Sequence, residues 1–255
     1  HVIYRVVKAA MPESTANKKF EMQWDDTWSH VEAQPWYPDE QVVRFFARYV
    51  ARRTGFGGED VRYTTPTRPV GLDLGCGKGR HVITMAELGI EACGVDLSKV
   101  AIEFARQWLA SRKLHGEVKQ GSIDAIPYND GAFDFVICHG VLDHMVNDVR
   151  RCGVDEVCRV LKSDGLFFFS VISREDSAYG EGQLFEEDTW ILPDGFEKNI
   201  PQAFFSQERI AREFAAFEIE SIVQSASISL VGRSLIGSDK HYSRDDRYYV
   251  LARKK

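Results

Sequence analysis

The chain lacks an excess of positive charge: 32 Lys and Arg face 38 Asp and Glu, leaving a formal charge of −6. Such a surface has no global pull on polyphosphate, which argues against a protein whose main work is gripping DNA or RNA. Cysteine is sparse and unpaired in pattern. Cys76, Cys93, Cys138, Cys152 and Cys158 form an odd set without a CxxC spacing, arguing against a disulfide framework or a zinc ribbon and for reduced thiols. No run approaches the ~20 apolar residues of a membrane span, and no leader pattern is visible. The expectation is a cytoplasmic protein without membrane insertion. Only eight prolines, no internal repeat and no low-complexity tract argue against disorder or a fibrous chain. What is present, 44% apolar residues over 255 positions, suits one large domain or a domain with an appendage. Residues 1–10, ahead of Met11, are left out of the fold argument.

Along the chain, residues 11–38 are polar with scattered aromatics, Trp24, Trp28, Trp36 and Tyr37, and read as an arm that docks on something. From Asp39 the pattern turns helical. Val42, Val43, Phe45, Phe46, Tyr49 and Val50 recur at helical spacing, with Arg48, Arg52 and Arg53 near the expected C-terminus and Gly55 as stop. Gly57 to Pro69 reads as a connector. Short apolar runs then alternate with helical segments. Strands are expected at Val70–Leu74, Ala92–Val95, Glu117–Gln120, Phe133–Cys138 and Leu166–Ile172. Helices are expected at His81–Leu88, Val100–Leu114 and Val149–Leu161, with closing strands at Phe217–Ile228 and Arg247–Ala252. This alternation predicts an α/β fold with a parallel sheet covered on both faces. The division expected is an N-terminal arm and helix over residues 1–60, then a ligand-binding domain over 61–255. The stretch 173–205 is too long for a simple connection and reads as a lid-like insertion.

The most informative stretch is Gly71-Leu72-Asp73-Leu74-Gly75-Cys76-Gly77-Lys78-Gly79-Arg80-His81. Glycines at alternate positions between a strand and a helix let the backbone approach a ligand closely. A dinucleotide fingerprint would need a small residue where Arg80 stands, and Asp73 would face a pyrophosphate. A phosphate-cradling P-loop fails as well, because Lys78 is not followed by Ser or Thr. At the end of the next strand, Asp96 lies 21 residues after Gly75, where a carboxylate can accept both ribose hydroxyls. Together the two stretches indicate a nucleoside carrying a non-phosphate group. Read singly, the glycine run could be a tight turn and Asp96 a helix-start residue before Ser98.

The sequence resembles the class I S-adenosylmethionine-dependent methyltransferases. LDLGCGKGRH, GVDLS, QGSIDAIPY, FDFVICHGVLDHM and RVLKSDGLFFFSV match the family's five motifs in order, across about residues 68–172. The resemblance implies a Rossmann-like three-layer sandwich with a seven-stranded, mostly parallel sheet whose last strand is antiparallel. It also implies S-adenosylmethionine as cofactor, S-adenosylhomocysteine as product, and a site across the C-terminal strand ends. Carried over by position, Asp73, Gly75 and Gly77, with Cys76 in the same loop, hold the methionine end. Asp96 holds the ribose, Leu97 packs on adenine, and Ser122 and Ile123 flank the ring. The family commonly has Asp where Ser122 stands, so the adenine amine falls to Ser122, to Asp124 or to backbone. His139 lines the sulfonium pocket.

A sulfonium methyl is already electrophilic, so catalysis mainly aligns a nucleophile and removes its proton if it is a hydroxyl. His139, Asp143 and His144 follow the fourth motif's strand, and His144 ranks first as base. The alternative is that Asp143 and His144 only orient the next helix. His81, Trp36, Tyr37, Tyr179 and His241 are candidates for the substrate side. The resemblance is to the small-molecule branch, the type 11, quinone-, sugar- and natural-product enzymes. The expected reaction is methyl transfer to a small-molecule hydroxyl. Alternatives are a thiol or tellurite-type acceptor, a quinone carbon, and a non-catalytic regulatory module that binds the cofactor. Cys138-His139-Gly140-Val141 differs from the N/D-P-P-Y/F motif of amide and base methyltransferases, which disfavours those substrates and nucleic acid. No metal is expected, since Asn147-Asp148 has no visible set of converging oxygen ligands. A homodimer is left open.

Overall fold

The computed structural model describes residues 13–30, 37–58, 60–192, 199–231 and 241–255. Helix α1 (Glu13–His30) is the first described element, followed by α2 (Glu40–Phe45), which widens into a π-helical turn over Phe46–Val50. The arm expected over 11–38 is thus helical through most of its length. Asp39 starts α2 by accepting the N–H groups of Gln41 and Val42. The helix stops at Val50, so Arg52 and Arg53 lie not at its C-terminus but in β1 (Ala51–Thr54). β1 pairs antiparallel with β2 (Asp60–Tyr63), inside what the sequence suggested was a connector. Long-range contacts hold this hairpin: the Tyr63 hydroxyl donates to the Gly89 carbonyl at 2.9 Å.

The alternating unit then runs β3 (Val70–Leu74), α3 (Arg80–Glu87), β4 (Glu91–Asp96), α4 (Lys99–Ser111), β5 (Glu117–Gln120) and β6 (Phe133–Cys138). It continues through α5 (Asn147–Val160), β7 (Leu161–Ser173), β8 (Gln183–Glu186), β9 (Thr189–Ile191) and β10 (Pro201–Phe205). α6 (Gln207–Glu213), β11 (Phe217–Val231) and β12 (His241–Lys254) complete the chain. The main sheet reads β5-β4-β3-β6-β7-β12-β11, parallel except for β12, which runs antiparallel to both of its neighbours. These are the seven strands and the reversed last strand that the resemblance implied. Beyond them, the 173–205 stretch adds β8, β9 and β10. β10 takes the side of β7 that β6 has left, pairing Phe204 with Ile172 and Phe205 with Ser173.

Side chains alternate across the sheet, which explains why both faces need helices. Phe167 and Phe169 face a core with Val154, Val157 and Ile210 of α5 and α6. Phe168 faces the other core and stacks on Phe45 of α2, ring centroids 4.7 Å apart. Helix α6, absent from the sequence reading, is clamped by charge. Glu213 accepts from Arg209 at 2.6 Å and from Arg150 of α5 at 2.7 Å, with both guanidinium groups against the Phe205 ring. Buried charge of this kind is tolerated because every partner is hydrogen-bonded. Among the described residues no helix is long and apolar enough to cross a membrane.

Candidate active site

The C-terminal end of β3 turns sharply, with Gly75 at φ 74° and Gly77 at φ 52°, values that L side chains rarely adopt. The N–H groups of Gly75 and Cys76 both donate to the Val95 carbonyl, at 2.7 and 3.0 Å, which folds the loop over the end of β4. A Cβ at Gly75 would come within 2.3 Å of Val141, and one at Gly77 within 2.6 Å of Trp28. Asp96 ends β4 and accepts the N–H groups of Gly77 and Ser98, each at 2.8 Å. Burial pushes its carboxyl up to about 6, against the pull of those two N–H groups and with help from the negative Asp73 and Asp25.

Between these ends lies a cavity of about 900 Å³ including its mouth. Leu74, Gly75, Val95, Asp96 and Leu97 form one wall, Gly121, Ser122 and Ile123 a second, and Gly140, Val141 and His144 a third. Helix α1 closes the cavity with Trp24 and Trp28. It is seated by Asp25, which accepts from the Ser98 hydroxyl at 2.5 Å and from the Val100 N–H at 3.2 Å. Gln120 donates to Glu21 at 2.8 Å on the same seam. Ser122 spends its hydroxyl proton on Asp124, so this pair presents a carboxylate as acceptor. Cys76 turns its thiol into the core beneath the loop, where burial pushes it well up; only its backbone serves the cradle.

The residues after β6 separate into two groups. Asp143 is fully buried, and Arg247 of β12 donates to its Oδ2 at 2.7 Å. Burial would raise its carboxyl, but Arg247 and His144 outweigh that and hold it below the usual range. It does not line the cavity and anchors β12 instead. His144 does line the cavity, with its ring edge against Trp24 at 5.6 Å and its Nε2 3.8 Å from Asp143 Oδ1.

The second group draws on distant segments. His139 Nε2 lies 3.2 Å from Asp39 Oδ2, a charge contact rather than an aligned hydrogen bond. Tyr249 of β12 donates its hydroxyl to the same Oδ2 at 3.3 Å. Burial works to raise the Asp39 carboxyl. His139 and the two N–H groups at the start of α2 prevail and hold it far below the usual range. His81 stands behind them: its Nε2 accepts the Asp39 N–H at 3.2 Å, so its proton sits on Nδ1, 3.6 Å from Asp73 Oδ2. Burial lowers the His81 pKa, so this imidazole is a neutral connector rather than a group reaching for substrate.

The remaining substrate-side candidates do not converge. Tyr37 is exposed, and Tyr179 donates to Asp188 within the β8–β10 unit against Trp190 and Phe204. Trp36 and the side chain of His241 lie outside the described residues. Asp39, Tyr249 and Arg247 escaped the sequence reading. For Asp39 a signal existed in its helix-start position, although its second oxygen had no visible use.

One ligand class satisfies the cradle. Asp96 offers acceptors for a ribose, Leu97 and Ile123 offer apolar faces for a base, and Asp73 Oδ2 is buried without a hydrogen-bond partner. An orphaned buried carboxylate oxygen beside a loop of glycines suits the ammonium of an amino-acid tail, and no phosphate is called for. A nucleoside with such a tail is S-adenosylmethionine, and the chain carries a class I S-adenosylmethionine-dependent methyltransferase domain. Residues 72–169 match the sequence family described as "Methyltransferase domain".

A curated relative, the ubiquinone biosynthesis O-methyltransferase of Actinobacillus pleuropneumoniae serotype 5b, is 32% identical over 114 residues. The match covers 42% of this chain and 47% of that protein. The chain spans 38–56% of the length of the first few curated relatives it matches. A solved structure described as "Conversion of a Disulfide Bond into a Thioacetal Group during Echinomycin Biosynthesis" shares the fold with TM-score 0.64 and 21% identity, over 92% of both chains. A S-adenosylmethionine-dependent methyltransferase from Methanosarcina mazei shares it with TM-score 0.60 and 20% identity, over 74% of this chain and 94% of that one.

Proposed function

We propose that the chain transfers a methyl group from S-adenosylmethionine to a hydroxyl oxygen of a small-molecule acceptor. When bound, S-adenosylmethionine supplies an electrophilic methyl group on a sulfonium and leaves as S-adenosylhomocysteine. Asp73 with the Gly75–Gly77 loop holds the amino-acid end, Asp96 the ribose, and Leu97, Ile123 and the Ser122–Asp124 pair the base. Trp24 and Trp28 exclude water from above.

The observation that carries the oxygen assignment is the placement of an imidazole, His144, on the cavity wall beside Gly140 and Val141, with a second, His139, directly after β6. A hydroxyl needs a base near neutral pH, whereas a thiolate or a soft anion does not. The name of the Actinobacillus relative supports the same atom. The test offers labelled S-adenosylmethionine with catechol as hydroxyl probe and dithiothreitol as thiol probe. Transfer to catechol that disappears in Asp96→Ala is expected. Transfer to the thiol alone would replace oxygen by sulfur, and cofactor binding without any transfer would favour a regulatory module.

A further inference from the structure

We propose that the free edge of β11 is a dimerisation surface, and that it pairs with the same strand of a second copy of this chain, run antiparallel to it. The inference goes beyond the methyl-transfer reading and rests on how the two edges of the main sheet differ. β5, at one edge, has four residues, two of them charged, Glu117 and Lys119. Short, charged edges resist pairing with another chain. β11, at the other edge, runs for 15 residues and among the described residues pairs only with β12. Its stretch 221–231 holds no charge, no proline and no glycine, and residues 223–228 are all exposed. Such a strand offers its outer row of N–H and C=O groups to a further strand.

Much of this stretch lies past the end of β7. β12 parts from β7 at Arg247, opposite Ile172, but its ladder with β11 goes on from Ser225–Arg247 to Val231–His241. The other side of the extended β12 is covered: Ser177 and Arg244 exchange hydrogen bonds, and the Asp246 N–H donates to Asp176 at 2.9 Å. Among the described residues, the outer side of β11 has no such cover.

The strand's own sequence supplies the occupant. Side chains alternate along it, so Ile222, Gln224, Ala226 and Ile228 share a face. A two-fold axis through Ser225, perpendicular to the sheet, keeps that face common to both copies and sets Ile222 opposite the partner's Ile228, and the reverse. Ile222 packs half-buried against the core, whereas Ile228 is 66% exposed. Each copy's exposed isoleucine therefore covers the rim of the other's core. Glu218 and Glu220, the acidic residues of β11, fall at opposite ends of the joint ladder, so the pairing opposes no like charges. Residues 221–229 of the two copies would share about 30 Å of ladder and about eight to ten main-chain hydrogen bonds, a number that stable interfaces carry.

Sedimentation of the full chain over about 1–200 μM tests the proposal, with a dissociation constant of about 10 μM or below expected. Ser225→Lys sets two ammonium groups against each other at the axis and should raise that constant at least about tenfold, with the unfolding temperature unchanged because the residue is exposed. Ile228→Lys, which removes the apolar cover, should weaken the dimer likewise and serves if the first variant does not fold. The axis is read by oxidation. Ser225→Cys meets itself across the axis with Cα atoms about 4.5–5.5 Å apart, within disulfide reach, whereas Val223→Cys faces Ser227 and should not join to itself. Because Cys152 is also exposed, the link is assigned by the mass of the joined peptides. A wild type that stays monomeric at about 200 μM, or a dimer that survives Ser225→Lys undiminished, would overturn the proposal. So would a dimer in which Ser225→Cys gives no link between the two 225 positions. None of these readouts uses methyl transfer, so they stand whatever the acceptor.

Discussion

Two carboxylate–imidazole pairs stand at the end of β6, and they are built in opposite ways. Asp143 and His144 are neighbours in the chain, yet their closest approach is 3.8 Å, and the carboxylate's charge is absorbed by Arg247 at 2.7 Å. Asp39 and His139 are 100 residues apart, yet they meet at 3.2 Å, with the carboxylate pinned by a helix start and by Tyr249. Adjacency in sequence made the first pair the more visible one. Asp143 keeps one oxygen without a hydrogen-bond partner, the one towards His144, whereas both oxygens of Asp39 accept. The first carboxylate ties β12 to the segment after β6 through an arginine, and the second ties the start of α2 to β12 and to the end of β6.

The largest effect should come from removing the cation of the first pair. Arg247→Met leaves Asp143 fully buried and uncompensated, which should cost about 3 kcal/mol of stability at pH 7, read by thermal or urea unfolding. Because Arg247 holds the Asp143 carboxyl down, its contribution is present above the unfolded value near 3.8 and fades as pH falls through that region. The penalty of Arg247→Met should therefore shrink in acid. An equal penalty at pH 7 and in acid would show that the pair is not electrostatic.

His139→Gln should leave unfolding nearly unchanged but lower methyl transfer to catechol by about hundredfold or more. That result, set beside a stability-only effect at Arg247, would separate the two pairs; a stability loss at both positions would merge them. A pH titration gives a third contrast, since Asp96 belongs to neither pair and its carboxyl sits at about 6. Ribose binding needs the ionised form, so affinity for S-adenosylmethionine should weaken about tenfold per unit below pH 6, measured by calorimetry. The sign for folding is reversed relative to Asp143. The folded chain holds this proton more tightly than the unfolded one, so the unliganded protein gains stability from Asp96 as pH falls from about 6 towards 3.8. The smallest effect is expected for His144→Phe, which keeps the ring against Trp24 and should cost about 1 kcal/mol or less in cofactor affinity. A collapse of turnover in that variant would mark His144 as the base.

The half of the molecule that cradles the cofactor was legible because its constraints are local. Gly75 and Gly77 sit at positive φ, the strand pattern of Phe133–Cys138 and Leu166–Ile172 needs two apolar faces, and Asp96 follows its strand directly. The covering elements were not legible because they are fixed from far away. The helix of α1 is seated by Asp25 on Ser98, and the β1–β2 hairpin by Tyr63 on Gly89. β10 is fixed by two residues at the end of β7, and α6 by one glutamate between two arginines. A helix start at Asp39 could be read from sequence; a partner for its second oxygen could not, because His139 and Tyr249 reach it only through the folded sheet.

The seat of α1 also has an optical consequence. Two of the chain's five tryptophans, Trp24 and Trp28, stand on the cavity wall, one against an imidazole and the other over a glycine and a lysine ammonium. Indole emission depends on the polarity and contacts around the ring. The molecule therefore carries an intrinsic fluorescent gauge of its own occupancy, one that needs no label and no knowledge of the acceptor.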